Sequence, residues 1–106
     1  MSEESSGHAW TVYLTRKAEK QAAKLPEEIF EALAVLRDEL EEEGPVQQEW
    51  QNYSKLKGKK GEFYHCHLNK GQPRYVAVWE VEDNSIKLIA IVFTGTHESV
   101  NYRLFK

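Results

Sequence analysis

The chain has 106 residues, of which 41% are hydrophobic, 29% are charged and 11% are aromatic. This length suits a single hydrophobic core, and the apolar and aromatic content is too high for a disordered chain. No uncharged apolar run is long enough for a transmembrane helix, so we expect one soluble globular domain and no membrane partner.

The amino-terminal residues carry acidic side chains where a secretory signal would carry positive charge, and no apolar segment follows them. We expect residues 1–8 to form a disordered tail and residues 9–106 to form the single domain. Cys66 is the one cysteine and cannot form an internal disulfide. Because reduced thiols are typical of the cytoplasm, we expect a cytoplasmic protein.

The first half of the chain predicts a strand followed by two helices. Residues 9–15 alternate apolar and polar side chains, which is the period of a strand. Residues 16–25 have helical spacing behind Thr15, a suitable N-cap. A longer helix is predicted from Pro26, because apolar residues recur every three or four positions until Gly44.

The second half predicts three strands. Residues 44–60 are irregular and indicate a long loop, whereas residues 62–69, 74–81 and 86–93 are strand-like and separated by the turn sequences KGQP and EDNS. A Gly turn then leads to a short helical turn. The expected fold class is α+β, with the order β-α-α-β-β-β and an antiparallel sheet covered on one face by a helical hairpin.

The stretch FYHCHL, residues 63–68, places two imidazoles on one side of its strand. Alternate residues of a strand share a face, so His65 and His67 should point one way while Cys66 and Leu68 point toward the helices. His97 lies just beyond the last strand. Because those strands pair as hairpins, His97 is a candidate to join the other two histidines on an uncovered face.

Three interpretations of this histidine group are open. Three imidazoles can hold zinc, although no second cysteine or HExxH helix is present. The rings can also be ordinary hydrogen-bonding side chains of a polar sheet face. We favour acid–base chemistry, because the unperturbed pKa of histidine lies nearest to neutral pH, and two rings can accept and donate a proton in one reaction.

The basic residues indicate what the substrate is. Residues 1–53 hold 5 Lys and Arg against 12 Asp and Glu, whereas residues 54–106 hold 9 against 5. A positive groove with imidazoles and stacking aromatic rings suits single-stranded RNA, whose 2′-hydroxyl supplies a nucleophile. The candidate phosphate and RNA ligands are Lys55, Lys57, Lys59, Lys60, Lys70 and Arg74, and the candidate stacking rings are Tyr53, Tyr64 and Tyr102.

The chain resembles the RelE/ParE superfamily of bacterial toxins, and most of all the messenger-RNA endonucleases of the RelE and YafQ type. The likeness extends from Trp10 to Tyr102 and is carried by LTRKAEKQAAKLP, NYSKLKG, YHCHL, RYVAVWEV and FTGTHESVNY. It implies the toxin of a type II toxin–antitoxin system that cuts messenger RNA on the ribosome. The implied partners are a cognate antitoxin, the ribosome and messenger RNA, and no metal or small-molecule cofactor is expected.

The resemblance also implies roles for individual residues. His67 corresponds to a sheet histidine of YafQ-like toxins and is assigned as general base, and His97 in GTH is assigned as general acid, or the two roles are exchanged. His65 would assist. Lys57 and Arg74 would hold the phosphate, and Tyr102 would stack on a base.

The chain departs from the YafQ-like pattern at two places. NKGQPR lacks the acidic residue that follows the sheet histidine, and SKLKG lacks a loop histidine. These departures leave open weak activity or another RNA as the target. Two other functions are kept as alternatives. One is a ParE-like toxin that binds a protein such as DNA gyrase without catalysis, and the other is a metal-dependent hydrolase with a three-histidine site.

Overall fold

A computed structural model describes residues 9–56 and 61–100 of the chain. The described residues form a five-stranded sheet and two helices, which follow the first strand and precede the other four. In chain order the elements are β1 (Thr11–Leu14), α1 (Arg16–Ala22), α2 (Glu27–Glu43), β2 (Ser54–Leu56), β3 (Glu62–His67), β4 (Tyr75–Asp83), β5 (Leu88–Thr96) and a 3₁₀ turn (His97–Ser99).

The sheet has the order β1-β5-β4-β3-β2. Strands β2 to β5 pair with antiparallel neighbours, as the predicted meander requires, and β1 pairs in parallel with β5. The predicted α+β class and the helical layer on the sheet are confirmed. The parallel pair was not predicted, because alternation within a strand does not reveal the direction of its neighbour.

Strand β2 corrects the prediction of an irregular loop over residues 44–60. It pairs with β3 at the edge of the sheet, with Lys55 opposite Tyr64 and Leu56 opposite Phe63. Three residues, two of them polar, are too few for a strand period to be recognised in the sequence. Helix α1 is likewise shorter than predicted, because it ends at Ala22 rather than Leu25.

Capping residues fix the two helices as the sequence predicts. The Thr15 hydroxyl accepts a hydrogen bond of 3.1 Å from the backbone N–H of Ala18. Helix α2 ends before Gly44, whose φ of +91° is in the region that favours glycine. A Cβ atom there would lie 2.7 Å from Nε1 of Trp10, so close packing also requires glycine. No described helix is long and apolar enough to cross a membrane.

The main core lies between the helices and one face of the sheet. Leu36 and Leu40 of α2 are fully buried there, together with Cys66 and Trp79 of the sheet. The Trp79 indole donates a 3.0 Å hydrogen bond to the carbonyl oxygen of Pro45. This contact ties the segment after α2 to the sheet, and that segment then runs past the end of β3.

The opposite face of the sheet is partly apolar and buried, so the expectation that it is uncovered was wrong. Val76, Val78 and Phe93 form a second, smaller apolar cluster there. Central strand β4 is therefore apolar on both faces, from Val76 to Trp79. The histidines lie beside this cluster rather than on an entirely open sheet.

Candidate functional site

Two histidines of β3 lie side by side on the face away from the main core. The ring centroids of His65 and His67 are 6.3 Å apart, while Cys66 between them is buried in the core on the helix side. This arrangement agrees with the strand period. His65 is held by its neighbour in β2, since Ser54 Oγ lies 3.0 Å from His65 Nδ1.

His97 reaches the same place from the other side of strand β4. Its backbone N–H donates a 2.6 Å hydrogen bond to the carbonyl oxygen of Arg74, immediately before β4 begins. The 3₁₀ turn is closed by Thr96 and Ser99, whose hydroxyl oxygens are 2.8 Å apart. The His97 ring consequently lies edge-on to that of His67, with centroids 5.5 Å apart and an interplanar angle of 80°.

These two rings border a hollow of about 110 Å³, lined by His67, Gln72, Arg74, His97 and Glu98. His67 is only 6% exposed, whereas His97 is exposed. A ligand therefore reaches His67 through the hollow rather than across an open sheet. Because the hollow combines two imidazoles with a guanidinium, it is suited to a phosphate group and to proton transfer.

Two buried nitrogen atoms at this site lack hydrogen-bond partners among the described residues. They are Nδ1 of His67 and Nε of Arg74. Nη2 of the Arg74 guanidinium donates a long hydrogen bond, of 3.4 Å, to the carbonyl oxygen of Lys70. Buried polar atoms are normally paired, so the two nitrogens indicate a place where a polar ligand can bind.

Burial lowers the pKa of His67, and the neighbouring His97, Arg74 and His65 lower it further. Removal from water and nearby positive charge both disfavour the protonated ring. Burial also lowers the pKa of His65, against an opposing hydrogen bond to the Ser54 backbone and with a smaller effect of His97. Both rings of β3 are therefore disposed to be neutral at neutral pH, which is the form that accepts a proton.

The predicted cationic ligands do not all surround this hollow. Arg74 lines it, and Lys70 is exposed beyond the Arg74 contact. The prediction that Lys55 lies beside the histidines was wrong. This residue is paired with Tyr64 on the helix side of the sheet, and its Nζ lies 5.8 Å from the centroid of that ring. Lys57, Lys59, Lys60 and Tyr102 lie outside the described residues.

Two tyrosines that were predicted to stack on RNA bases pack against other aromatic rings of the protein. Tyr64 is 4% exposed and packs with Tyr53 and Trp79 in a cluster of three rings, whose centroids are 6.0, 6.1 and 6.2 Å apart. Neither Tyr53 nor Tyr64 is therefore placed to stack on a base beside the histidines.

Two residues of the hollow were not predicted from the sequence. Gln72 and Glu98 line the hollow, but an isolated amide and carboxylate have no recognisable pattern. The turn before Arg74 is held by Asn69, whose Oδ1 accepts from the Tyr75 N–H at 2.8 Å and whose Nδ2 donates to the Pro73 carbonyl at 3.1 Å. The NKGQPR segment thus positions Arg74.

The three histidines do not form a metal site with one another. Within residues 9–56 and 61–100, no group of three or more His, Cys, Asp or Glu side chains is placed to hold a metal ion. His65 is turned to Ser54, and His67 and His97 meet edge-on. This arrangement of the rings gives no support to the three-histidine metal site.

The sequence matches no protein-family model and no curated protein. Solved structures do match. A RelE–RelB complex from Pyrococcus horikoshii OT3 includes a chain with 24% identity and a TM-score of 0.69, over 86% of this chain and 98% of that one. A metal-bound toxin from Helicobacter pylori has 20% identity and a TM-score of 0.65, over 87% and 99%.

A mutant of the Escherichia coli toxin RelE in the free state has 18% identity and a TM-score of 0.62, over 86% of each chain. The alignments cover between 86% and 99% of these solved chains and between 86% and 87% of the present chain. The chain therefore has the RelE-like fold.

Proposed function

We propose that this chain is the toxin of a type II toxin–antitoxin system and an endoribonuclease that cuts messenger RNA on the ribosome by metal-independent acid–base catalysis. The observation that carries the proposal is the edge-on pair of His67 and His97 beside the Arg74 guanidinium. The RelE-like fold supports the toxin assignment, since proteins of this fold include the toxins from Helicobacter pylori and Escherichia coli.

The reaction uses the 2′-hydroxyl of the RNA as nucleophile. His67 takes the proton from that hydroxyl, and the oxygen then attacks the adjacent phosphorus atom. The bond to the 5′-oxygen breaks, and His97 gives a proton to this leaving oxygen. The products are a 2′,3′-cyclic phosphate and a 5′-hydroxyl, so one proton is removed and one is supplied.

The direction of proton transfer follows from the environment of the two rings. His67 is buried and has a lowered pKa, which favours the neutral, proton-accepting form. His97 is exposed at the mouth of the hollow, where a leaving group can meet water. Arg74 would stabilise the negative charge that develops on the phosphate. His65 would assist through its position beside His67.

The proposed partners are a cognate antitoxin, the ribosome and messenger RNA. One of the solved structures with this fold is a RelE–RelB complex, which supports a bound antitoxin.

The test is controlled expression of the chain without an antitoxin. We expect growth arrest and new 5′ ends in ribosome-bound transcripts, and we expect both to be lost in the His67→Ala, His97→Ala double variant. Lys87→Ala is a matched surface control, because Lys87 lies far from the hollow, over the Trp10 ring. Transcript cleavage that persists in the correctly folded double variant would refute the mechanism.

Two further readouts separate the alternatives. Cleavage of ribosome-bound transcripts by the purified protein should survive a zinc-selective chelator at constant Mg²⁺ concentration, whereas a loss that added zinc restores would indicate the metal-dependent hydrolase. Growth arrest with intact transcripts and DNA damage would indicate a ParE-like toxin that binds a protein target.

A further inference from the structure

A second and larger cavity, of about 420 Å³, meets the hollow at His67. Its walls include Glu39, Glu49, Trp50 and Gln51 from the segment that starts within α2, and Lys70 from the turn after β3. We propose that this cavity binds the guanine base of the nucleotide whose 2′-hydroxyl reacts. This inference rests on the proposed function and adds a substrate preference to it.

The link between the two cavities is His67 itself. This residue lines both of them, is 6% exposed, and carries a buried Nδ1 that has no hydrogen-bond partner among the described residues. If the ring takes the 2′-hydroxyl proton, the ribose of that nucleotide lies against His67. Its 3′-phosphate then points into the Arg74 hollow, and its base points the other way, into the larger cavity.

The charges of the two cavities favour the same orientation of the nucleotide, with its phosphate in the hollow and its base in the larger cavity. The hollow contains the Arg74 guanidinium, which attracts phosphate, and a single carboxylate, that of Glu98. The larger cavity contains the carboxylates of Glu39 and Glu49, which repel phosphate but accept hydrogen bonds from an uncharged base. Lys70 at the same cavity can hold the outgoing backbone.

Hydrogen bonds hold two walls of the larger cavity, Trp50 and Gln51, in place. Trp50 is held by a 2.6 Å hydrogen bond from its indole nitrogen to Glu39 Oε1, so its ring is fixed beside the cavity. The Gln51 carbonyl oxygen accepts a 2.8 Å hydrogen bond from the His67 backbone N–H, which ties this wall to the end of β3. A fixed indole beside polar side chains is a suitable surface for a planar base.

The polar groups favour guanine over the other bases. A carboxylate only accepts hydrogen bonds, and guanine presents two adjacent donors, N1–H and the 2-amino group, to its two oxygens. Adenine and cytosine each place an acceptor nitrogen next to the amino group. Uracil offers a single N–H between two carbonyl oxygens, which a carboxylate repels. Glu49 is the acceptor that we assign, because one Glu39 oxygen already binds Trp50.

The test uses 3′-mononucleotides, which contain no cleavable internucleotide bond, and the ¹⁵N-labelled chain. The three tryptophan indole N–H signals in an NMR spectrum serve as reporters, with Trp10 and Trp79 as internal controls for Trp50. Guanosine 3′-monophosphate should move the Trp50 signal with at least tenfold higher affinity than uridine 3′-monophosphate. Glu49→Gln should weaken guanosine binding about tenfold, which corresponds to about 1.4 kcal/mol.

The control for that variant is Glu28→Gln, the same chemical change in the first turn of α2. It should leave the guanosine titration unchanged. Equal affinity for all four nucleotides, or no movement of the Trp50 signal, would overturn the inference. Movement of Trp50 by a lysine-rich peptide but by no nucleotide would also overturn it, and would identify the cavity as a protein-binding site.

This experiment is separable from the test of the proposed function. Binding of mononucleotides requires no catalysis, so guanosine selectivity can be present even when no transcript is cut. Conversely, if transcripts are cut with no enrichment of guanosine on the 5′ side of the break, the ribonuclease stands and the base assignment fails.

Discussion

The rings of His67 and His97 meet at 80° with centroids 5.5 Å apart, although one belongs to β3 and the other follows β5. Strand β4 lies between these two strands in the sheet. The rings therefore reach each other across the end of β4, where the His97 N–H binds the Arg74 carbonyl. Their distance depends on correct pairing of three strands, so the site exists only in the folded protein.

Single substitutions of the two rings should each lower the cleavage rate strongly. Because general acid and base groups contribute about 10²–10⁴-fold each, His67→Ala and His97→Ala should fall within that range of loss. The double variant should lose little more than the worse single variant, since the rings act in one step. The measurement is single-turnover cleavage of a ribosome-bound transcript, with Lys87→Ala as control. Additive losses, or a loss below tenfold in either single variant, would contradict shared catalysis.

The pH dependence of cleavage should report the environment of His67. Burial and the adjacent His97 and Arg74 lower the pKa of this ring, so the neutral base persists at acidic pH. The acidic limb of the rate profile should therefore lie below the ordinary histidine value of about 6.5. Arg74→Ala should move the limb upward, because it removes one positive charge, in addition to lowering the rate.

Arg74→Lys is the matched control for that shift, since it retains the charge at nearly the same place. Its acidic limb should stay close to that of the unaltered protein even if the rate falls. Identical limb positions in the Arg74→Ala and Arg74→Lys variants would show that the charge of Arg74 does not act on the base.

The sequence was sufficient to place His65 and His67 on one face, because strand alternation is a local property that sequence period reveals. It was also sufficient to place Cys66 toward the helices. The meeting of His97 with His67 was only an allowed possibility, since it depends on how β4 and β5 pair. The hollow needs in addition the turn that Asn69 holds before Arg74, which no local pattern encodes.

Two predictions were wrong, the position of Lys55 and the uncovered second face of the sheet. Both depend on how strands that are distant in sequence pair. Lys55 points away from the histidines because its register places it opposite Tyr64, and strand β2 was too short to be recognised. The second apolar cluster around Val78 formed because the central strand is buried on both faces. A continuous apolar run signals such a strand but does not show what covers its second face.

Cys66 should be unreactive in the native protein. It is fully buried in the core, and burial, with Glu39 nearby, raises the pKa of its thiol to about 12. Because the thiolate is the reactive form, a thiol-specific reagent such as Ellman's reagent should modify Cys66 only when the protein opens. The measurement compares the modification rate in buffer with the rate in denaturant. Rapid modification without denaturant would show that the core is not closed around β3.

The stability of the protein should fall as pH decreases through the range where histidine titrates. The pKa values of His65 and His67 are lowered in the folded state, so the unfolded chain binds more protons in this range. Their contribution to the free energy of unfolding is complete above the unfolded value of about 6.5 and is lost as pH falls through the lower folded values.

Denaturant unfolding followed at pH 7.5 and pH 5.5 measures this loss. The His67→Asn variant cannot titrate at this position, so its free energy of unfolding should fall less between the two pH values than that of the unaltered protein. Lys70→Ala is the control, because it removes a nearby exposed side chain and leaves His67 in place. An equal fall in the His67→Asn variant and the unaltered protein would mean that His67 is protonated as easily in the folded chain as in the unfolded one. The ring would then lack the lowered pKa that makes it a proton acceptor.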